Sequence, residues 1–563
     1  MRWTLKPKPS EDKIKHLAQA LNVEDFVATL LVQRGIETFE EAKAFFRPSL
    51  EHLHDPYLMK DMDKAVLRIE NAIQNNENIL VFGDYDVDGT TAVSLVSAYL
   101  KSHYSNVATY IPDRYLEGYG VSFKGIDYAE DNGFSLIIAL DCGIKSIEHV
   151  AYAKEKNIDF IICDHHRPGD TLPEAVAILD PKRSDCHYPY DELCGCGVGF
   201  KLIQALGQNR DETIEDLIPY LDLVATAIAA DIVPMTGENR VLAHFGLKVI
   251  NENPRPGIKA LVHQVKKQTL DITDVVFIVA PRINAAGRIK HGNHAVELLT
   301  EFDFEQAQQF ASEIEQYNSD RKGLDQQITK EALSQIIEQN EEERFSTVVF
   351  KEDWHKGVIG IVASRLIENY YRPTLVFTKS GDKYAASARS VKGFDVYNAL
   401  EACSEHLEQF GGHMYAAGMT LKAENYNQFK NAFEKQVQET ILPEQRIPEI
   451  EIDAEIDFNQ ITPKLIRILK QFEPFGPQNM TPVFLSKNVK DTGYGKTMGQ
   501  QDEHIRLFVK QNNSEGLAAI GFGLGNKMPM VTDQKPFELA YCIDENEWNG
   551  KITTQLRLKD IRA

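Results

Sequence analysis

The sequence predicts an α/β protein of several domains: a doubly wound parallel sheet, a long connecting helix, a second α/β unit and a C-terminal OB-type β-barrel. Three observations predict it. Short apolar strands alternate with helix-length segments through "NILVFG", "TTAVSLVSAYLKS", "VATYIP", "SLIIALD", "SIEHVAYAKEKN" and "DFIICD", the pattern of a parallel sheet covered by crossover helices. A single amphipathic period runs from about 303 to 343. Beyond the proline-bounded "ILPEQRIPEIEI" the chain breaks into short alternating strands, among them "HIRLFVK", "LAAIGFG", "FELAYCI" and "TTQLRLKDI".

Taken in order, residues 1–70 read as an N-terminal helical segment. Its opening, "MRWTLKPKPSEDKIKHLAQAL", has no continuous apolar stretch of the secretory kind, and no apolar run in the chain is long enough to span a bilayer. A cytoplasmic protein with no membrane partner is the expectation. The doubly wound sheet occupies 71–302. The connecting helix follows over 303–343, with Phe310, Ile314, Tyr317, Leu324, Ile328, Ala332 and Ile336 at three- and four-residue spacing; Gly323 within it costs about 1 kcal/mol relative to Ala. The second α/β unit spans 344–445, and the strand-rich tail 446–563, where an OB-type barrel would bind single-stranded nucleic acid. A chain of 563 residues has ample material for several cores, and 43% hydrophobic with 26% charged residues is ordinary globular composition.

Seven cysteines scattered over this length are no disulfide framework. "CHYPYDELCGCG" gathers Cys186, His187, Cys194 and Cys196, but Cys-x-Cys is a poor match to zinc-ligand spacing. The net charge of −22 excludes a chain coated in basic surface, though not a local basic groove.

The chemistry begins at "VFGDYDVDGTTA", which places Asp84, Asp86 and Asp88 at alternate positions behind an apolar strand. Like charges this close disfavour one another's ionised form, so the triplet is either solvated or neutralised by a cation. On extended backbone all three would project to one side, with Tyr85 and Val87 on the other. An EF-hand loop would need a preceding helix and a Glu at its twelfth position, where Leu95 stands. Asp141 and Asp164 also end strands, and Asp231 follows the apolar run "LVATAIAAD" as a fourth acidic end at the carboxyl edge, where open α/β sheets collect ligands. Asp84, Asp86, Asp88, Asp141, His165 and Asp231 can thus converge as an oxygen-rich site with one imidazole. That is enough for two divalent cations about 3.5–4 Å apart, Mn²⁺ favoured and Mg²⁺ possible, clamping a phosphoryl group and generating the attacking hydroxide. His165 and His166 cannot both face one ion from an extended loop; one would ligate and the other meet the substrate.

At "CDHH" the chain resembles the DHH phosphoesterases. "GDYDVDGTTA", "ALDCGI", "CDHH", "GCGVGFKL", "ATAIAADIVPM", "PRINAAGRI", "GVIGIVASRL" and "FGGHMYAAG" are similar, in order, to segments of that family's single-stranded-DNA exonucleases. The resemblance implies a two-metal DHH domain, a DHH-associated second lobe, an OB domain, and 5′ to 3′ release of mononucleotides from single-stranded DNA in repair and recombination. It assigns His165 to metal and His166 to the bridging phosphate, so that His166, Asp141 and Asp86 form the catalytic set. A monomer with a helicase and a single-strand-binding protein as further partners is the accompanying expectation. Cys196 departs from the small residue expected there, and some family members continue beyond "LRLKDIRA". Two rival readings are a DHH-type hydrolase of short oligonucleotides or cyclic dinucleotides, which would need no OB domain, and a non-catalytic DNA-binding scaffold, which would have lost metal ligands present here.

Holding a strand requires donors for phosphates and flat faces for bases. "PRINAAGRI" offers Arg282, Asn284 and Arg288, and "IPDRYLEGYG" offers Arg114; each of the arginines could instead pair with one of the many carboxylates. Ser387, Arg389, Gly411, Gly412 and His413 could form a phosphate pocket, a reading the resemblance of the second lobe favours over a helix-capping glycine turn. Phe508, Phe522 and Trp548 are candidate stacking residues, with core packing as the alternative.

Overall fold

A computed structural model describes residues 1–563 apart from 264, 266, 533, 534 and 549 and the side chain of Trp548, so that candidate stacking residue lies outside the described side chains. The chain divides into two compact units, residues 5–317 with 452–563, and residues 1–4 with 318–451.

The N-terminus opens with strand β1 (Arg2–Leu5), where helix alone was expected, and continues as the helices Glu11–Leu21, Asp25–Val32 and Phe39–Phe46. The first sheet comprises β2 (Asn78–Gly83), β3 (Val107–Tyr110), β4 (Phe134–Leu140), β5 (Asp159–Cys163) and β6 (Ala177–Leu179). They are parallel throughout, in the order β3-β2-β4-β5-β6. Their near-continuous apolar runs are explained by burial on both faces. Ile79, Val81, Leu136, Ile138 and Ile161 face one core, while Leu80, Phe82, Ile137, Phe160 and Ile162 face another. The order reverses between β2 and β4: the chain leaves β2 for β3 on one side, then crosses back to β4 on the other. Their carboxyl ends flank the switch point at which such sheets bind ligands.

The connecting helix runs from Phe304 to Glu338, and the division between the units falls inside it. Its periodic apolar face serves two cores: Ala307, Ala311 and Ile314 join the first, Ile328, Ala332 and Ile336 the second. The second unit holds a mixed sheet of β7 (Thr347–Phe350), β8 (Thr374–Ser380), β9 (Lys383–Arg389), β10 (Gln409–His413) and β11 (Ala416–Lys422), in the order β10-β11-β9-β8-β7 with only β7 and β8 parallel.

Strand β12 (Glu449–Ile452) pairs with β1, and β13 (Ala454–Glu455) leads into the tail strands β14 (Phe484–Asp491), β15 (Lys496–Met498), β16 (His504–Gln511), β17 (Leu517–Gly521), β18 (Phe537–Trp548) and β19 (Lys551–Arg562). Because β14 bonds to β18 on one edge and to β16 on the other, the path β14-β18-β19-β17-β16 closes into a five-stranded barrel of OB type. The alternation in β16 sends Ile505, Leu507 and Val509 inward and leaves Arg506, Phe508 and Lys510 outside. The barrel does not close its core alone. Phe484, Leu539 and Leu556 share one apolar cluster with Ile14, Leu17, Leu30 and Leu31 of the N-terminal helices. No described helix is long and apolar enough to cross a membrane.

Candidate metal centre

The acidic triplet is not an extended row. Strand β2 stops at Gly83, Asp84 lies in a short loop, and a helix begins at Val87 with Asp86 as its N-cap, its Oδ1 accepting from the Gly89 N–H at 3.0 Å. Asp is a favoured N-cap and an acidic first turn suits the helix dipole, so local preference ends the strand sooner than the alternating spacing suggested. Asp88 therefore sits in the first turn of this helix. Its two oxygens accept from the N–H groups of Gly195 (2.6 Å) and Cys196 (2.7 Å), which open the helix Gly195–Gln208. Cys196 acts here through its backbone, so the unexpected side chain leaves the contact intact.

Asp141 follows β4 with φ of +57°, a left-handed conformation that Asp tolerates. Gly195 packs against it; a Cβ there would stand 2.6 Å from the Asp141 Cβ and 2.7 Å from its Oδ1. Asp164, His165 and His166 follow β5. Asp231 corrects the expectation of a fourth acidic strand end, since it is the last residue of the helix Leu221–Asp231. A short run apolar all round reads alike as buried strand or buried helix, and here the helix is enclosed on every side.

These elements bring four side chains to one point. His165 Nε2 lies 3.2 Å from Asp141 Oδ1, 3.6 Å from Asp231 Oδ2 and 3.8 Å from Asp88 Oδ2. Asp88, His165 and Asp231 form one group with ligand atoms within 4.8 Å of one another, and Asp141, His165 and His166 a second. Asp84 and Asp86 belong to neither. Asp84 is fully buried, with Oδ1 accepting from Gly120 N–H at 3.3 Å.

Burial and mutual repulsion act together. Burial, then the charge of Asp86, raises the Asp84 carboxyl well above the usual range and brings Asp88 to about 7. Burial and then Asp88 do the same to Asp141, and bring Asp231 to about 8. Burial and the neighbouring charge of His166 push His165 down to about 3, keeping it the neutral imidazole a metal requires. A cation fits this set: His165 Nε2, Asp141 Oδ1 and Asp84 Oδ2 are buried without a hydrogen-bond partner among the described residues, and such orphans are costly unless something unseen satisfies them.

His166 is held differently. Its Nδ1 bonds Asp164 Oδ1 at 2.7 Å, while Nε2 faces the Tyr119 hydroxyl at 3.4 Å and the side chain is 44% exposed. Burial works against the imidazolium, but the bond and charge of Asp164 hold its pKa at about 9. Burial would likewise raise Asp164, yet His166 and the Ile144 N–H bring it to about 2. Asp164 was legible as an acidic strand end, and its role as the orienting partner of His166 was missed; its place directly before two histidines was the available signal. Tyr119 and the N–H pair of Gly195 and Cys196 were also missed, because nothing local in the sequence joins them to the acidic loop.

The candidate strand contacts are distributed as follows. Arg114 lies over the Tyr85 ring, its Cζ 3.9 Å from the centroid. Arg282 has an acidic partner, Glu315, at 2.5 Å, and donates to the Ile278 carbonyl. Asn284 and Arg288 are half-buried on the same helix, Ala280–Ile289, and the Arg288 carbonyl accepts from the Tyr115 hydroxyl. Gly287 on that helix lets it meet the acidic loop, since a Cβ there would stand 2.7 Å from the Tyr85 carbonyl oxygen. In the other unit, sheet register places Ser387, Gly418 and Gly411 in one row and Arg389, Ala416 and His413 in the next. Gly412 alternates to the opposite face, with φ of +145°. The helix Ile359–Asn369 comes close to the first row and the second: a Cβ on Gly360 would be 3.1 Å from Arg389 Nη2 and 3.4 Å from Ser387 Oγ. Arg389, whose pKa burial lowers, has no carboxylate partner among the described residues.

Comparison with known proteins agrees with this architecture. Family models match in order: the DHH family, N-terminal domain over residues 78–228, the DHHA1 domain over 342–439 and the RecJ OB domain over 452–560. The chain is 38% identical over its full length to the single-stranded-DNA-specific exonuclease RecJ of Bacillus subtilis, covering 70% of that protein. It is 31% identical to the like-named protein of Escherichia coli, over 94% of this chain and 95% of that one. Among solved structures, RecJ of Thermus thermophilus in complex with Mn²⁺ matches with a TM-score of 0.85 at 26% identity, over 100% of this chain and 79% of that one. The corresponding Mg²⁺ complex matches with a TM-score of 0.79 at 25% identity, over 100% of this chain and 78% of that one.

Proposed function

The chain belongs to the RecJ family of DHH phosphoesterases, and from that membership we propose that it is a metal-dependent exonuclease specific for single-stranded DNA. The observation that carries the reading is the convergence of Asp88, Asp141 and Asp231 on His165 Nε2, with buried ligand atoms left unpaired. Asp84, Asp86, Asp88, Asp141, His165 and Asp231 would hold two divalent cations, Mn²⁺ in preference to Mg²⁺. Bound cations supply Lewis acidity toward the phosphoryl oxygens and activate water. The chain's own groups do the rest. Asp164 fixes the His166 ring through Nδ1, so that Nε2 can face the bridging phosphate and give its proton to the leaving oxygen. The Gly195 and Cys196 N–H groups fix both oxygens of Asp88 and so its aim.

The strand would be held through its phosphates by Arg114, Arg282, Asn284 and Arg288, and by Ser387, Arg389, Gly411, Gly412 and His413. The outer barrel face, where Phe508 and Phe522 stand among Arg506, Lys490 and Lys510, suits stacked bases and a phosphate backbone. Release of mononucleotides from the 5′ end, a role in repair and recombination, a monomeric state and cooperation with a helicase and a single-strand-binding protein complete the proposal by family likeness. The test is nucleotide release from 5′- and 3′-labelled single strands with and without Mn²⁺. Early release of the 5′ label supports the reading. Cleavage confined to dinucleotides or cyclic dinucleotides would replace it with the small-substrate hydrolase.

A further inference from the structure

Twelve non-glycine residues among those described take positive φ, and eleven of them are Asn, Asp or Gln. The twelfth is Ile232, at φ 61° and ψ 32°. Asn and Asp tolerate left-handed backbone because a short polar side chain bonds locally; a β-branched side chain is poorly suited to it. Such strain persists only where something beyond local preference retains it. Burial does not, because Ile232 is 71% exposed while Val233 and Met235 are buried. Chain path does not either, because glycine would make the same turn without steric cost. Ile232 is distinguished by position. It caps the helix Leu221–Asp231, directly after the carboxylate whose Oδ2 stands 3.6 Å from His165 Nε2. An apolar side chain kept in water one residue along the chain from a member of the metal-binding cluster is available to a molecule that brings a phosphate there.

We propose that Ile232 is a substrate-contacting residue that packs against the sugar or base of the nucleotide whose phosphodiester is cleaved, setting how deeply the strand end enters. This rests on the exonuclease reading of the same site. The side chain offers no charge to a phosphate and no ligand atom to a metal, so its contribution is to seating, and removing it acts mainly on KM.

The test uses the full chain with Mn²⁺ and a labelled single strand, comparing wild type with Ile232→Gly and Ile232→Val. Glycine keeps the turn and removes the side chain; valine keeps a β-branched apolar surface. In Ile232→Gly, KM should rise about tenfold, with metal content by elemental analysis unchanged and Tm at or above wild type, while Ile232→Val stays within about threefold in KM. A wild-type KM in Ile232→Gly overturns the proposal, as does a lowered Tm, which would make the side chain structural, or a loss of metal. The two readings fail differently. If the wild type degrades the strand and the glycine variant matches it, this inference alone falls. If the wild type cleaves bis(p-nitrophenyl) phosphate but releases no nucleotide from single strands, the exonuclease reading falls and this inference with it.

Discussion

Asp164 Oδ1 accepts from His166 Nδ1 at 2.7 Å, and the same oxygen also takes the main-chain N–H of His165 at 2.8 Å and of His166 at 3.2 Å. One carboxylate thus fixes the ring and the turn that presents it. His166→Ala should keep the metal but lower the chemical step by roughly 10²- to 10⁴-fold, the usual scale for a positioned acid. Asp164→Asn should lower it less, since the ring remains while its orienting charge is gone. Single-turnover rates beside elemental analysis decide the matter: metal loss in His166→Ala would make that residue a ligand, as its closeness to Asp141 and His165 also permits.

His165→Ala should lower both metal occupancy and rate, because its Nε2 is the point on which three carboxylates converge. Raising Mn²⁺ should restore part of the rate in this variant and none in His166→Ala. Asp141→Ala should abolish hydrolysis with the fold intact by circular dichroism. Wild-type turnover in a folded Asp141→Ala protein would remove the metal assignment.

The Asp141→Asn substitution should act on stability with opposite signs without and with metal. Without cation, burial and then the neighbouring carboxylates penalise the ionised Asp141, so Asp141→Asn should raise the Tm of the metal-free protein. With Mn²⁺ at a hundredfold its Kd, the wild type should gain about 2.7 kcal/mol of stability, and Asp141→Asn much less. Thermal denaturation with EDTA and with Mn²⁺ measures both.

The barrel face is best probed one side chain at a time. Removing residues after about 450 would expose the N-terminal helices that share its core, so truncation would confound binding with folding. Phe522 and Phe508 are 61% and 40% exposed. Replacing either by Ala should cost about 1–3 kcal/mol in binding long single strands if it stacks on a base, with short oligonucleotides still cut. Unchanged affinity in the double variant would move the binding surface elsewhere.

Much of this fold is legible in the sequence, and what is not has physical causes. Apolar runs bounded by turns gave the parallel sheet, and the three- and four-residue period gave the long helix, because burial on two faces or on one stripe writes itself into local spacing. Of the six candidate ligands, Asp88, Asp141, His165 and Asp231 converge while Asp84 and Asp86 lie outside both ligand clusters, and two of the supporting expectations failed. Asp86 and Asp88 belong to a helix cap and first turn, and Asp231 to a helix end. Local rules could not see the Gly195 and Cys196 N–H groups that take Asp88, more than a hundred residues away, nor the joining of N-terminal helices to the barrel. Those depend on tertiary packing, which sequence spacing does not encode.

The shared core of the N-terminal helices and the barrel has a consequence for biosynthesis. Leu17, Leu30 and Leu31 leave the ribosome early, but Phe484, Leu539 and Leu556 follow roughly 450 to 540 residues later, on the order of half a minute or more at ordinary rates of synthesis. Until then those leucines pack only against neighbouring N-terminal helices, without the barrel half of their core, and stay open to chaperones and proteases. A nascent chain halted within the second unit would carry a finished parallel sheet behind an unfinished first segment, and quality control would meet the protein at its oldest residues.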